Sequence, residues 1–193
     1  MGYNVKNKIM IMGGLGLAFF VAGCARVNLP SNVTLKQNFI DTIDFSYQTD
    51  SPKKFSNIKL CIAENIDNNS VDLRDSSSSF VGPYTGNLYL NSQDKTIQGG
   101  DVFKYSEEST STIIAKGSAI KEGLVNDIIK YDLKASVSGN NIMLKFYNIT
   151  RAQQDTGFVK NDGFETICTL SGCRPTNAYE AIKTIADKLK ACI

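Results

Sequence analysis

The sequence predicts an α+β domain, a curved antiparallel β-sheet packed against a C-terminal amphipathic helix, and three observations point there. From Ile129 to Val137 apolar and polar residues alternate without exception, which marks a half-buried antiparallel strand. After Ser138-Gly139-Asn140-Asn141 the alternation resumes at Ile142, Leu144 and Phe146, so the two runs form a hairpin. Near the end of the chain, Ala178, Ile182, Ile185, Leu189 and Cys192 step by four and three and share one helical face. A small β-sandwich or barrel is the alternative arrangement for the same strands.

The remaining elements follow from local pattern. Residues 25–35 carry Asn, Pro and Ser with little periodicity and read as a tether. Residues 36–56 are ambiguous, since Phe39, Ile43 and Tyr47 fit a short helix or scattered anchors. Ile58, Leu60 and Ile62 alternate with Asn57, Lys59 and Cys61, which predicts a strand with the cysteine on its other face. The Asn-, Asp- and Ser-rich stretch 65–82 predicts a long mobile loop. Strand-like runs follow at residues 84–90, 102–105 and 112–118. Residues 151–174 read as a polar connection. The closing helix is expected over 177–192, with Asn177 and Glu180 at capping-box spacing behind Pro175.

Composition narrows the chemistry. Among 193 residues there are 21 Lys and Arg, 19 Asp and Glu, and no histidine. Without histidine the Ser-His-Asp and Cys-His arrangements and all His-ligated metal sites are excluded. With 42% hydrophobic residues the chain can bury a core, and its length suits one domain.

The first 23 residues read as an export segment rather than as part of the fold. Lys6 and Lys8 form a positive start, and Ile9–Val21 is an uncharged apolar stretch of 13 residues. As a helix it is about 20 Å long, short of a ~30 Å hydrocarbon core. Val21-Ala22-Gly23-Cys24 follows and resembles the lipobox of bacterial lipoproteins. That resemblance implies a diacylglycerol thioether on Cys24, cleavage between Gly23 and Cys24, and acylation of the freed amine. It divides the chain into a signal peptide at 1–23, a lipidated cysteine and tether at 24–35, and a single periplasmic domain at 36–193. Because Ala25 rather than Asp follows the cysteine, the resemblance implies the periplasmic face of the outer membrane. Two or three acyl chains make the membrane attachment lasting, since each buried CH₂ contributes about 0.8 kcal/mol. Removing Lys6 and Lys8 leaves 19 basic against 19 acidic residues. No nucleic-acid partner is expected from that balance.

Cys61, Cys168, Cys173 and Cys192 remain for an oxidising compartment, and four cysteines allow three pairings. Cys168 and Cys173 bracket the turn-forming Thr-Leu-Ser-Gly, and Cys192 lies on the apolar face of the closing helix. The expected bridges are Cys168–Cys173 and Cys61–Cys192. Redox or thiolate-metal chemistry fits poorly, since the close pair is spaced C-x₄-C rather than C-x-x-C.

Other candidates are weaker. Ser51-Pro-Lys-Lys54 and Ser118-Ala-Ile-Lys121 match Ser-x-x-Lys, a pairing that needs both residues on successive turns of one helix. Asn65, Asp67, Asn69 and Asp72 offer oxygens for calcium but lack the EF-hand glycine and glutamate spacing. Glu107 and Glu108 read as a solubilising pair beside a turn, and the sequons at Asn32, Asn68 and Asn148 carry no meaning in a bacterium. Tyr84, Tyr89, Phe103, Tyr105, Tyr131, Phe146 and Tyr147 are mostly core candidates, with Tyr147 a partner contact if it faces away from Phe146. No catalytic residue, cofactor or metal is expected. The leading expectation is a non-enzymatic binding, adaptor or inhibitor module with an envelope protein partner. A lipid or apolar-ligand carrier and a hydrolase using Ser118 or acidic residues are the alternatives.

Overall fold

The computed structural model describes residues 25–193. The expected signal peptide, the Val21–Cys24 motif and the Gly23/Cys24 cleavage point lie outside the described residues. The elements run β1 (Val33–Lys36), β2 (Phe39–Gln48), α1 (Phe55–Asn65), β3 (Val71–Asp75), β4 (Phe80–Val81), β5 (Leu88–Tyr89), β6 (Gln93–Ile97), β7 (Phe103–Glu107), β8 (Thr112–Lys121), β9 (Asp127–Ser138), β10 (Asn141–Gln153), β11 (Glu165–Thr166) and α2 (Pro175–Cys192). A 3₁₀ turn at Ser171–Cys173 leads into α2.

The fold is α+β. An antiparallel sheet runs in the order β1-β2-β10-β9-β8-β7, with β11 paired to β10. Its β1 and β7 edges do not pair with each other, so the sheet stays open and the barrel alternative is discarded. Both helices cover one face. Ile43 and Phe146 from the sheet pack with Ile58 and Ile62 of α1 and with Ala178, Ile182 and Leu189 of α2 in one buried cluster. The alanines of α2 keep its axis close to the sheet, while Tyr131 and Phe146 fill the space beside them, their rings edge to face at 5.2 Å.

Several elements differ from the sequence expectation. Residues 57–63 are not a strand but the body of α1. Ile58, Cys61 and Ile62 are buried at helical spacing while Leu60 is exposed, so contact with α2 outweighs the local alternation. The ambiguous stretch after residue 36 becomes β2, held between β1 and β10. The expected tether at residues 25–35 is not free of the domain. Arg26 bridges Leu170, the Val27 amide donates to Thr169, and residues 33–36 form an edge strand. The expected loop 65–82 contains β3, which pairs with β6. Helix α2 begins at Pro175 rather than Asn177, where proline's fixed φ and missing N–H suit the first helical position. The Asn177 side chain bonds Asp127 instead of capping.

The hairpin β3–β6 builds a second small core. Val71 and Leu73 pack on Ile128 and Ala152, which occupy sheet positions facing away from the helices. On that same side Lys130 lies over the Phe164 ring at 4.7 Å.

Candidate binding surfaces

The four described cysteines form two bridges, Cys61–Cys192 across 131 residues and Cys168–Cys173 across 5. The first ties α1 to the end of α2, and the second closes the turn ahead of α2.

The Ser-x-x-Lys candidates are not catalytic pairs. Ser118 and Lys121 lie three apart on strand β8, opposite Lys130 and Asp127 respectively, and so point to opposite faces. The Lys121 ammonium pairs with Glu180 at 2.7 Å. Ser51 precedes α1 and Lys54 is its N-cap residue, so no helical turn joins them. The oxygen-rich residues are also dispersed. The Asn65 amide donates to the Cys61 carbonyl, Asp72 accepts from Thr96, and Asp67 joins the Ser118 backbone. Glu107 accepts from Tyr105 and Thr110, chiefly the former, which holds its carboxyl below the usual range.

The aromatics divide by face. Phe103, Tyr131 and Phe146 belong to the core. Tyr147 lies opposite Asp132 and Thr42, turned away from Phe146, and Tyr105 is exposed beside Ile114 on the same outward face.

That outward face gathers lysines which the sequence keeps apart. Lys145 of β10 stands directly opposite Lys134 of β9, and Lys116 of β8 stands opposite Asp132. Lys104 pairs with Asp132 at 2.6 Å, and the Asn148 amide donates to the other carboxylate oxygen. Burial, and then the charge of Lys116, push the Lys130 ammonium below its ordinary value.

A second surface is apolar. Strands β4 and β5 make a short hairpin in which Phe80 pairs with Tyr89 and Val81 with Leu88. The two rings stack with centroids 5.1 Å apart, a cross-strand aromatic pair that supports a hairpin this short. Gly86, at φ +67, closes the turn in a region that side-chain-bearing residues avoid. Residues 80–92 carry no charge. Tyr84 is 100% exposed, Leu90 71%, Val81 60% and Phe80 57%. None of the hairpin's side chains enters either buried cluster. The sequence shows its apolar residues, but their strand-like appearance predicts burial rather than exposure.

The clefts of the domain are open to solvent. One, about 680 Å³, lies among Asp72, Arg74, Asn126, Gln153 and Asp155 beside exposed Leu124. Between sheet and helices, by contrast, Ile43, Ile58, Ile62, Phe146 and Ile182 are all at 0% exposure.

No family model and no curated protein matches the chain. Two solved structures are similar in outline. One is a DUF4468 family protein from Bacteroides ovatus, with a TM-score of 0.44 at 9% identity over 82% of this chain and 91% of that one. The other is a TBP-like protein from Parabacteroides distasonis, with a TM-score of 0.44 at 10% identity over 83% and 96%.

Proposed function

We propose that this chain is a lipid-anchored envelope protein, held through Cys24 on the periplasmic face of the outer membrane. Its domain acts as a non-enzymatic binding module for another envelope protein. The observation that carries this reading is the β4–β5 hairpin, which exposes Phe80, Val81, Tyr84, Leu88, Tyr89 and Leu90 together. Exposed apolar side chains gathered on one uncharged hairpin are costly in water unless something covers them, and such clusters mark interaction sites. Aromatic residues supply much of the energy at interface centres. The lysines around Asp132 offer a separate charged surface, of the kind that steers encounter rather than setting affinity. The filled interior weighs against a carrier of apolar ligands. The separation of Ser118 from Lys121 weighs against the hydrolase. No cofactor or nucleic acid enters this reading.

The test is a photo-reactive amino acid placed at position 84 in living cells. The expected result is one discrete protein adduct, lost when Leu88→Asp is added and absent when the probe sits at Lys53. Adducts to lipid alone, or a smear unaffected by Leu88→Asp, would overturn the reading.

A further inference from the structure

We infer that the end of the domain formed by residues 25–27, the β1–β2 turn and residues 168–171 lies flat on an anionic phospholipid surface. The inference rests on acylation of Cys24, as proposed above.

The connection is short. Ser171 donates its amide to the Ala25 carbonyl at 3.0 Å, and Val27 donates to Thr169 at 2.8 Å. The Arg26 guanidinium donates to the Asn38 side chain at 2.6 Å, and the Thr169 amide donates to the Asn38 carbonyl. The chain is therefore fastened to the domain from Ala25 onward. An acylated Cys24 is one peptide bond from Ala25 and two residues, about 7 Å at full extension, from Arg26. With acyl chains in the bilayer, this end of the domain has no room to stand away from the headgroups.

The chemistry of this end suits that position. Leu35, Phe39 and Leu170 are each 41% exposed, and Phe39 and Leu170 rim a shallow depression with Arg26, Asn38 and Thr169. Arg26 and Lys36 supply positive charge, and no Asp or Glu occurs in residues 25–40 or 166–178. In a chain whose exported part balances 19 basic against 19 acidic residues, those stretches stand apart. Basic residues are drawn to an anionic membrane surface, and partly exposed apolar side chains add interfacial burial. Gln37 and Asn38, both at positive φ, make the tight turn that sets Lys36 directly opposite Phe39.

The chain contains no tryptophan, so single tryptophans report position directly. Phe39→Trp and Leu170→Trp mark the inferred contact. Asn140→Trp marks the other end of the sheet, because β2 runs from Phe39 to Gln48 and Gln48 pairs with Asn141, a span of about 30 Å. Each acylated full-length variant is reconstituted in vesicles of phosphatidylethanolamine and phosphatidylglycerol, with and without brominated acyl chains. The expected result is a blue shift and loss of emission for Phe39→Trp and Leu170→Trp, with Asn140→Trp unchanged. If acylated protein floats with the vesicles but all three tryptophans stay unquenched, the inferred contact is overturned while the anchor stands. If mass spectrometry finds Cys24 unmodified and the protein does not float, both fall.

Discussion

Gly117 of β8 stands directly opposite Tyr131 of β9, and the phenol lies where a side chain at Gly117 would be. A Cβ at that position would come within 2.6 Å of Ile66 Cγ2 and 2.8 Å of the Tyr131 hydroxyl. Glycine here buys the close approach of three elements, since Ile66 follows α1. Gly117→Ala should therefore lose about 1–3 kcal/mol, the range for overpacked cores. The Tyr131 hydroxyl is buried without a partner, and burial raises its pKa far above the ordinary tyrosine value. Tyr131→Phe should be neutral or gain about 1 kcal/mol, because an unmade hydrogen bond is removed. Gly117→Ala should cost less in the Tyr131→Phe background, with the Ile66 contact and that to the ring carbon Cζ, 2.9 Å away, remaining. Urea unfolding of the four proteins checks this, and equal costs in both backgrounds would refute the contact.

Asp127 is a fully buried carboxylate at the junction of β9, β10 and α2. It accepts from Arg151 at 2.5 Å, Arg174 at 3.2 Å and Asn177 at 2.7 Å. Its position beside the first turn of α2 also places negative charge at the positive end of the helix dipole. Asp127→Ala leaves Arg151, largely buried, without its anion and should cost about 3–5 kcal/mol. Arg174 is more exposed, and Arg174→Ala should cost about 1 kcal/mol or less. Similar losses for the two variants in thermal unfolding would contradict this ranking.

How much of this was legible in the sequence depends on whether one pattern or two fit the same residues. Strands β9 and β10 are legible because their buried positions alternate with wet ones, and α2 because Ala178, Ile182, Ile185 and Leu189 fit only the helical period. Around Cys61 both periods fit. Ile58, Leu60 and Ile62 alternate, while Ile58, Cys61 and Ile62 share a helical face, and only packing against α2 decides between them. Residues 26–36 have no periodicity because an edge strand of four residues, with three positions exposed, needs none. The lysines at 104, 116, 130, 134 and 145 come from four strands, and only strand register places them together. The apolar hairpin is visible as composition, but nothing in a local pattern says that Phe80 and Tyr84 have no core to enter.

The two bridges should differ in weight. In the chain-entropy account a cross-link stabilises by restricting the unfolded chain, more for a longer loop. Cys61–Cys192 closes 131 residues and Cys168–Cys173 only 5. Removing the long bridge with Cys61→Ala and Cys192→Ala should cost up to about 5 kcal/mol, and removing the short one about 2 kcal/mol. The long bridge also fixes α1 against the end of α2, so its loss should loosen both helices together. Hydrogen exchange checks this. Exchange of the Ile58 and Leu189 amides should accelerate more than that of β9 and β10, beyond the speeding that lower global stability gives all slow amides. Equal acceleration throughout would count against it.

Asp75 sets the response to acid at the far end of β3. Its carboxylate accepts from the Ser77 hydroxyl at 2.6 Å, the Ser77 amide at 3.0 Å and the Asn161 amide at 3.1 Å. These bonds, those from Ser77 first, hold its pKa below the ordinary 3.8. A carboxyl depressed on folding stabilises the folded state above its unfolded pKa, and that stability is lost as pH falls through the folded value. Its contribution is therefore complete at neutral pH and declines from near 4 downward. Asp75→Asn should lower stability at pH 7 and flatten the fall below about pH 4. The serine turn 76–79 and residues 157–161 should also become more accessible to protease, since Asp75 joins them. An acid unfolding curve of Asp75→Asn parallel to that of the parent would show that the carboxylate makes no such contribution.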